Sequence, residues 1–137
     1  MRKIYLILTM FALSLMALAQ QNRPDQIPYQ RFDSLKYTDG ITQINVYVHL
    51  DCGRCKDAVE LYETAGIPFK IIDLDNEENN VVLDKKITAS ISVADRGKGY
   101  SVRYPVIEIN NDVYFCIENH YYFNQALVRY FERQKKK

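Results

Sequence analysis

From Ile41 onward, the spacing of apolar residues divides the chain into short strand-like runs and longer stretches with helical period. Ile41-Thr42-Gln43-Ile44-Asn45-Val46-Tyr47-Val48 is uncharged and rich in β-branched residues, which predicts a strand with a buried face. Past Gly53, the residues Ala58, Leu61, Tyr62 and Ala65 recur at helical spacing until Gly66 and Pro68 stop the helix. Phe69 to Leu74 predicts a second strand, which the intervening helix makes parallel to the first with a right-handed crossover. Asn76 to about Ala94 predicts a second helix with Val82, Leu83, Ile87 and Ile91 on its apolar face, broken by Asp95-Arg96-Gly97-Lys98-Gly99. Pro105–Ile109 and Val113–Ile117 predict a hairpin around Asn110-Asn111-Asp112, residue types that tolerate the positive φ of a tight turn. Asn119 to Arg133 predicts a last helix with Phe123, Ala126, Leu127, Tyr130 and Phe131 on one face. The order βαβαββα implies an α/β domain built on a four-stranded mixed sheet with helices on both faces.

Upstream of Ile41 the pattern changes. Arg2 and Lys3 precede an uncharged apolar run from Ile4 to Leu18 with small residues at Ala17 and Ala19, the order of a secretory signal cleaved after Ala19. The run is shorter than the ~20 apolar residues that span a bilayer, so stable membrane insertion is not expected. The mature protein is expected to be exported, periplasmic or extracellular. Residues 20–40 are polar, hold Pro24 and Pro28 and show no sustained period, and so read as a linker or a loosely attached arm. The folded domain is then expected over residues 41–137. A chain of 137 residues accommodates one core, and a monomer is expected. Its net charge of +1 gives no reason to expect nucleic acid as a partner.

Chemistry enters with the three cysteines, Cys52, Cys55 and Cys116, which are too few and too odd in number for a disulfide-stapled scaffold. Cys52 and Cys55, at C-x-x-C spacing between the first strand and the first helix, form either a working redox pair, a metal site or a structural disulfide. A free thiol has a pKa of about 8.5, and a helix starting at Gly53 would favour the Cys52 thiolate by aiming unpaired N–H groups and positive dipole at its sulfur. Arg54 and Lys56 add positive potential there, and Asp51 opposes it. Cys55, three residues on, lies deeper and suits a resolving thiol. Cys116 on the last strand reads as a small buried hydrophobe, with a regulatory thiol as the alternative.

Several segments in order carry a family resemblance. Val46-Tyr47-Val48 leading to Cys52-Gly53-Arg54-Cys55, then Gly66-Ile67-Pro68-Phe69, Ile72-Asp73-Leu74-Asp75 and Tyr104-Pro105-Val106-Ile107-Glu108-Ile109, resemble glutaredoxin over about Ile41 to Phe131. The resemblance implies a thioredoxin fold, a cis bond before Pro105 facing the redox pair, and Pro105 as the residue that aligns substrate. It implies a thiol-disulfide oxidoreductase acting on protein disulfides or dithiols, with a separate, unidentified redox partner and no cofactor. Where glutathione-using members carry a lysine, a threonine-valine pair and two glycines, this chain has His49, Arg103-Tyr104 and Ile117-Glu118-Asn119. Glutathione is therefore not the expected partner.

The candidate site comprises Cys52 and Cys55 as exchanging thiols, with Tyr104, Pro105, Arg54 and His49 as substrate-binding residues. Histidine as a residue type can change charge near neutral pH, so His49 either modulates Cys52 electrostatically or merely flanks the strand end. The Tyr104 ring either narrows a substrate groove or packs over the loop. His120, at the start of the last helix, is expected at the surface. A second functional class stays open: two soft thiolates also suit Cu(I), so an extracytoplasmic copper carrier or a non-catalytic binding module is the alternative. The direction of exchange depends on the reduction potential and is not written in the residues.

Overall fold

The computed structural model describes residues 25–137, and the expected signal segment, residues 1–19, lies outside them. Four strands, β1 (Ile44–Val48), β2 (Lys70–Asp73), β3 (Val106–Ile109) and β4 (Asp112–Tyr114), form one sheet in the order β2-β1-β3-β4. Three helices, α1 (Gly53–Thr64), α2 (Glu77–Ser90) and α3 (His120–Gln134), flank it. β1 pairs with β2 in parallel, as the crossover through α1 requires, and with β3 antiparallel. β3 and β4 make the expected hairpin, with Ile109 opposite Asp112 and Asn110 at φ 55° in the turn. The Asn110 side chain accepts from Thr42 N at 2.9 Å, tying the turn to the approach to β1.

Period-two alternation sorts the sheet residues into two cores. Ile44, Val46, Ile107 and Ile109 pack with Ala58 and Tyr62 of α1 and with Phe123, Leu127 and Tyr130 of α3. Tyr47, Val106 and Val113 pack on the other face with Leu83 and Ile87 of α2 and with Leu74. α1 ends where it must: Gly66 takes φ 66°, Ile67 N bonds Tyr62 O at 3.0 Å, and Gly66 N bonds Glu63 O at 3.1 Å. Those two bonds satisfy carbonyls the helix leaves open, and a glycine reaches that left-handed conformation without a Cβ penalty.

Three expectations are corrected. α2 stops at Ser90 rather than near Ala94, because Ser90 Oγ donates to Ile87 O and Ser92 starts a separate short turn bonded to Asp95. On that helix Leu83 and Ile87 are buried and Val82 is exposed. β4 is shorter than expected because Pro105, which would come opposite Cys116, has no N–H to extend the ladder. The Phe115 and Cys116 N–H groups turn instead to the side-chain oxygen of Gln30, each at 2.8 Å.

The third correction concerns residues 20–40, whose described part is not loosely attached. Gln30 bonds Cys116 O through its backbone N–H at 2.8 Å and accepts from Glu118 N at 3.0 Å, so the arm covers the outer edge of β4. Tyr37 is 3 % exposed, stacks on Phe32 and donates its hydroxyl to Asp112 at 2.8 Å, while its carbonyl accepts from Tyr130. The packed body therefore begins well before residue 41. Replacing Tyr37 by alanine is expected to lower stability by about 3–5 kcal/mol, the cost of emptying a large aromatic site. Urea unfolding measures it, and a loss below about 0.5 kcal/mol, typical of an unremarkable surface site, would mean that the arm is dispensable.

Candidate functional site

The cysteine pair sits where strand gives way to helix. Cys52 N bonds His49 O at 3.3 Å in a tight turn past the end of β1, and Cys52 then serves as N-cap of α1 with extended backbone (φ −94°, ψ 105°). Its sulfur accepts from Cys55 N at 3.2 Å, one of the helix-start N–H groups that lack an intrahelical partner. Cys52 and Cys55 are joined as a disulfide across this first turn, with Cα atoms 5.2 Å apart. The two thiols differ in access as expected: Cys52 is half-buried, whereas Cys55 is 2 % exposed beneath the helix. Arg54 and Lys56 are exposed beside the pair, and so is Asp51.

Register brings the remaining candidates to the same end of the sheet. Tyr47 of β1 is opposite Val106 of β3, so the chain leaving β1 toward Cys52 runs beside the chain entering β3 from Tyr104 and Pro105. The Tyr104–Pro105 bond is cis, and Pro105 is buried. The Tyr104 ring meets the His49 ring edge-on at 4.6 Å, and burial raises its phenol pKa, aided by Asp84. His49 Nδ1 lies 3.3 Å from Asp75, whose second oxygen accepts from Leu50 N at 2.9 Å. Those bonds hold the Asp75 carboxyl below its usual range, first through Leu50 N and then through His49. His49 thus joins the turn before Cys52 to both Tyr104 and the start of the β2–α2 connection.

His120, expected at the surface, is 7 % exposed and belongs to the site. Its Nε2 lies 3.0 Å from Pro105 O, and because a carbonyl only accepts, Nε2 carries the proton and donates. Burial lowers the His120 pKa, and the charges of Arg54 and Arg103 push the same way, against the carbonyls of Pro105 and Arg103. Arg103 is a second residue the pattern did not single out for a structural role. It donates to Ile117 O at 3.0 Å and Glu118 O at 2.7 Å and lies over the Tyr29 ring, binding the loop before Pro105 to the start of α3 and to the arm. One signal did mark His120: it follows Asn119, a good N-cap, and so opens a helix whose apolar face lies against the sheet.

Cys116 is a free, buried thiol whose pKa burial raises, as suits an apolar packing role. Among the described residues no cluster of three or more histidine, cysteine or carboxylate side chains is placed to hold a metal ion. Compared with protein-family models, curated proteins and solved structures, the chain finds no match in any of the three.

Removing the His120 ring leaves Pro105 O without its donor, so His120→Leu is expected to cost about 1–3 kcal/mol, and His120→Gln, which keeps an N–H near Nε2, to recover part of it. The pH dependence separates the two proteins further. Because the folded-state pKa lies below 6.5, the unfolded chain takes up the proton first, and stability falls as pH drops from 6.5 through the lowered value. Carboxylates held low in the fold, such as Asp75 and Glu118, act below about pH 4.5 and leave that window clear. Thermal unfolding between about pH 7 and pH 5 should therefore destabilise the parent more than His120→Gln. Equal slopes would show that His120 is not held neutral.

Proposed function

We propose that this chain is a thiol-disulfide oxidoreductase of the thioredoxin fold, glutaredoxin-like in form, that acts on disulfides of exported proteins through Cys52 and Cys55. The observation that carries the reading is the asymmetry of the pair: a disulfide across the first turn of α1, with Cys52 accessible at the N-cap and Cys55 buried behind it. The strand order β2-β1-β3-β4, with α1 and α3 on one face and α2 on the other, supports the fold assignment. Export rests on Arg2, Lys3 and the apolar run that follows them. Among the described residues no helix is long and apolar enough to cross a membrane.

In the reduced protein the Cys52 thiolate attacks one sulfur of a substrate disulfide. A Cys52–substrate bond forms, the substrate S–S bond breaks, and the departing thiolate takes a proton from water. Cys55, once deprotonated, attacks the Cys52 sulfur, releases the second substrate thiol and closes the internal disulfide. Two electrons have passed from the protein dithiol to the substrate, and a separate dithiol partner returns them. Run in reverse, the same steps oxidise a substrate dithiol. The helix start favours the attacking anion because Cys55 N already points at the Cys52 sulfur. Tyr104 and Pro105 form the edge along which an extended substrate segment pairs, giving affinity with little demand on sequence.

Insulin reduction in the presence of a dithiol tests the reading. Cys52→Ser should fall to the uncatalysed rate, whereas Cys55→Ser should attack once and stay trapped as a mixed disulfide. Equal alkylation of both thiols in the reduced protein would contradict that order, and a Cys52→Ser protein with parental activity would end the proposal. Glutathione mixed disulfides should turn over poorly beside protein disulfides, because His49, Arg103-Tyr104 and Ile117-Glu118-Asn119 replace the residues that hold glutathione in the resembling family. Comparable turnover of the two would overturn that preference.

A further inference from the structure

Around the start of α3 the surface departs from the near-balanced charge of the whole chain. Two adjoining cavities flank the helix there. One, of about 520 Å³, lies between α1 and α3 and is lined by Arg54, Arg103 and Tyr121 among others; the second, of about 590 Å³, lies between α3 and the arm and is lined by Arg31, Tyr122 and Arg129 among others. Glu118 and Asn119 line both, so the two cavities adjoin over the start of α3 as one grooved surface, with the helix between them. Four arginines line it against only two carboxylates, Asp57 and Glu118. Glu118 is already engaged by Arg31. Arg54, Arg103 and Arg129 have no carboxylate partner among the described residues.

Tyr121 and Tyr122 stand between the two cavities, each 67 % exposed, with ring centroids 5.5 Å apart. Exposed tyrosine beside unpaired arginine is the composition that dominates the energetics of protein interfaces, since both side chains bring large contact area together with polar ends. The geometry also selects among anions. A small anion needs donors converging on one point, whereas Arg103 is bonded to the carbonyls of Ile117 and Glu118 just before α3 and Arg129 lies nine residues past His120, about 13 Å along the helix axis. Positive charge spread over that length with aromatic rings between suits an extended acidic polypeptide.

Resting on the disulfide-exchange reading above, we infer that this groove docks an acidic segment of the substrate protein lying beside the cysteine under attack. The positive groove draws such a segment in and orients it, raising the encounter rate, while the two tyrosines supply apolar contact once it is seated. Substrate choice then combines a sequence-tolerant edge at Tyr104 and Pro105 with a charge requirement along α3.

Two peptides with the same disulfide, one flanked by aspartates and the other by lysines, test the inference on the reduced protein. At low salt the acidic peptide should show kcat/KM about tenfold higher, the ratio approaching one near 0.5 M salt as the charges are screened. Arg129→Glu should cut the ratio several-fold. Lys70→Glu, the same charge change on the edge strand β2, should keep it. Equal turnover of the two peptides, or the same ratio in both variants, would overturn the docking surface while leaving disulfide exchange standing. If neither peptide is exchanged, the exchange reading fails, and fluorescence anisotropy with Cys52→Ser protein decides docking by itself. Acid-selective binding lost in Arg129→Glu then upholds the groove as a binding surface, and its absence rejects it. An Arg129-sensitive dimer in light scattering that the acidic peptide does not dissociate would assign the groove to a second copy and reject it as well.

Discussion

Pairing β1 with β3 in the antiparallel sense carries the end of one segment to the beginning of another some sixty residues away, and the geometry at the cysteine pair depends on that pairing. With Tyr47 opposite Val106, the turn to Cys52 and the approach to Pro105 leave the same end of the sheet. A slip of β3 by one residue would turn Ile107 and Ile109 toward α2 while Ile44 and Val46 still faced α1 and α3. The hydrophobic register that builds the core is thus also the register that builds the site.

Two further sets of bonds convert adjacency into fixed position. On the β1 side, Asp75 grips Leu50 N and faces His49, and His49 meets Tyr104 across the gap. On the β3 side, His120 holds Pro105 O, Arg103 holds the carbonyls of Ile117 and Glu118, and Gln30 of the arm satisfies the N–H groups that β4 leaves open. Most of these bonds run between loops, where no strand ladder supplies partners for the backbone. Buried backbone groups still need them, which is why side chains from four separate segments converge here.

The opposite face of the sheet shows how a charge survives inside such a small body. Glu108 is buried at the centre of β3, and burial opposes its ionisation; Asn45 at 2.9 Å, Lys86 at 2.7 Å and Tyr47 at 2.7 Å outweigh that and hold its pKa below the usual value. Burial, reinforced by the neighbouring carboxylate, pushes the Tyr47 phenol up to about 12, so it stays a donor. Lys86 reaches in from α2 while its own stem remains partly in water. A fully satisfied network of this kind fixes where α2 sits on an otherwise apolar face, because any other placement would strand the carboxylate.

The strands, helices and hairpin were legible from residue type and spacing, since burial on one face imposes period two on a strand and 3.6 on a helix whatever the rest of the chain does. So were the cysteine pair at a strand-to-helix junction and the accessible-outer, buried-inner order of its thiols, which follow from local geometry at a helix start. The arm was not legible: Tyr37 and Gln30 sit in a polar stretch without period, and what docks them is the open edge of β4 and a core gap beside Phe123 and Tyr130, both made by residues far along the chain. Nor was His120, whose burial depends on the loop carbonyl that β3 brings above it. Spacing within a segment reports which side faces inward; which groups wait on that side is decided only when distant segments meet, because hydrogen bonds and charges act over a few ångströms in space and not along the sequence.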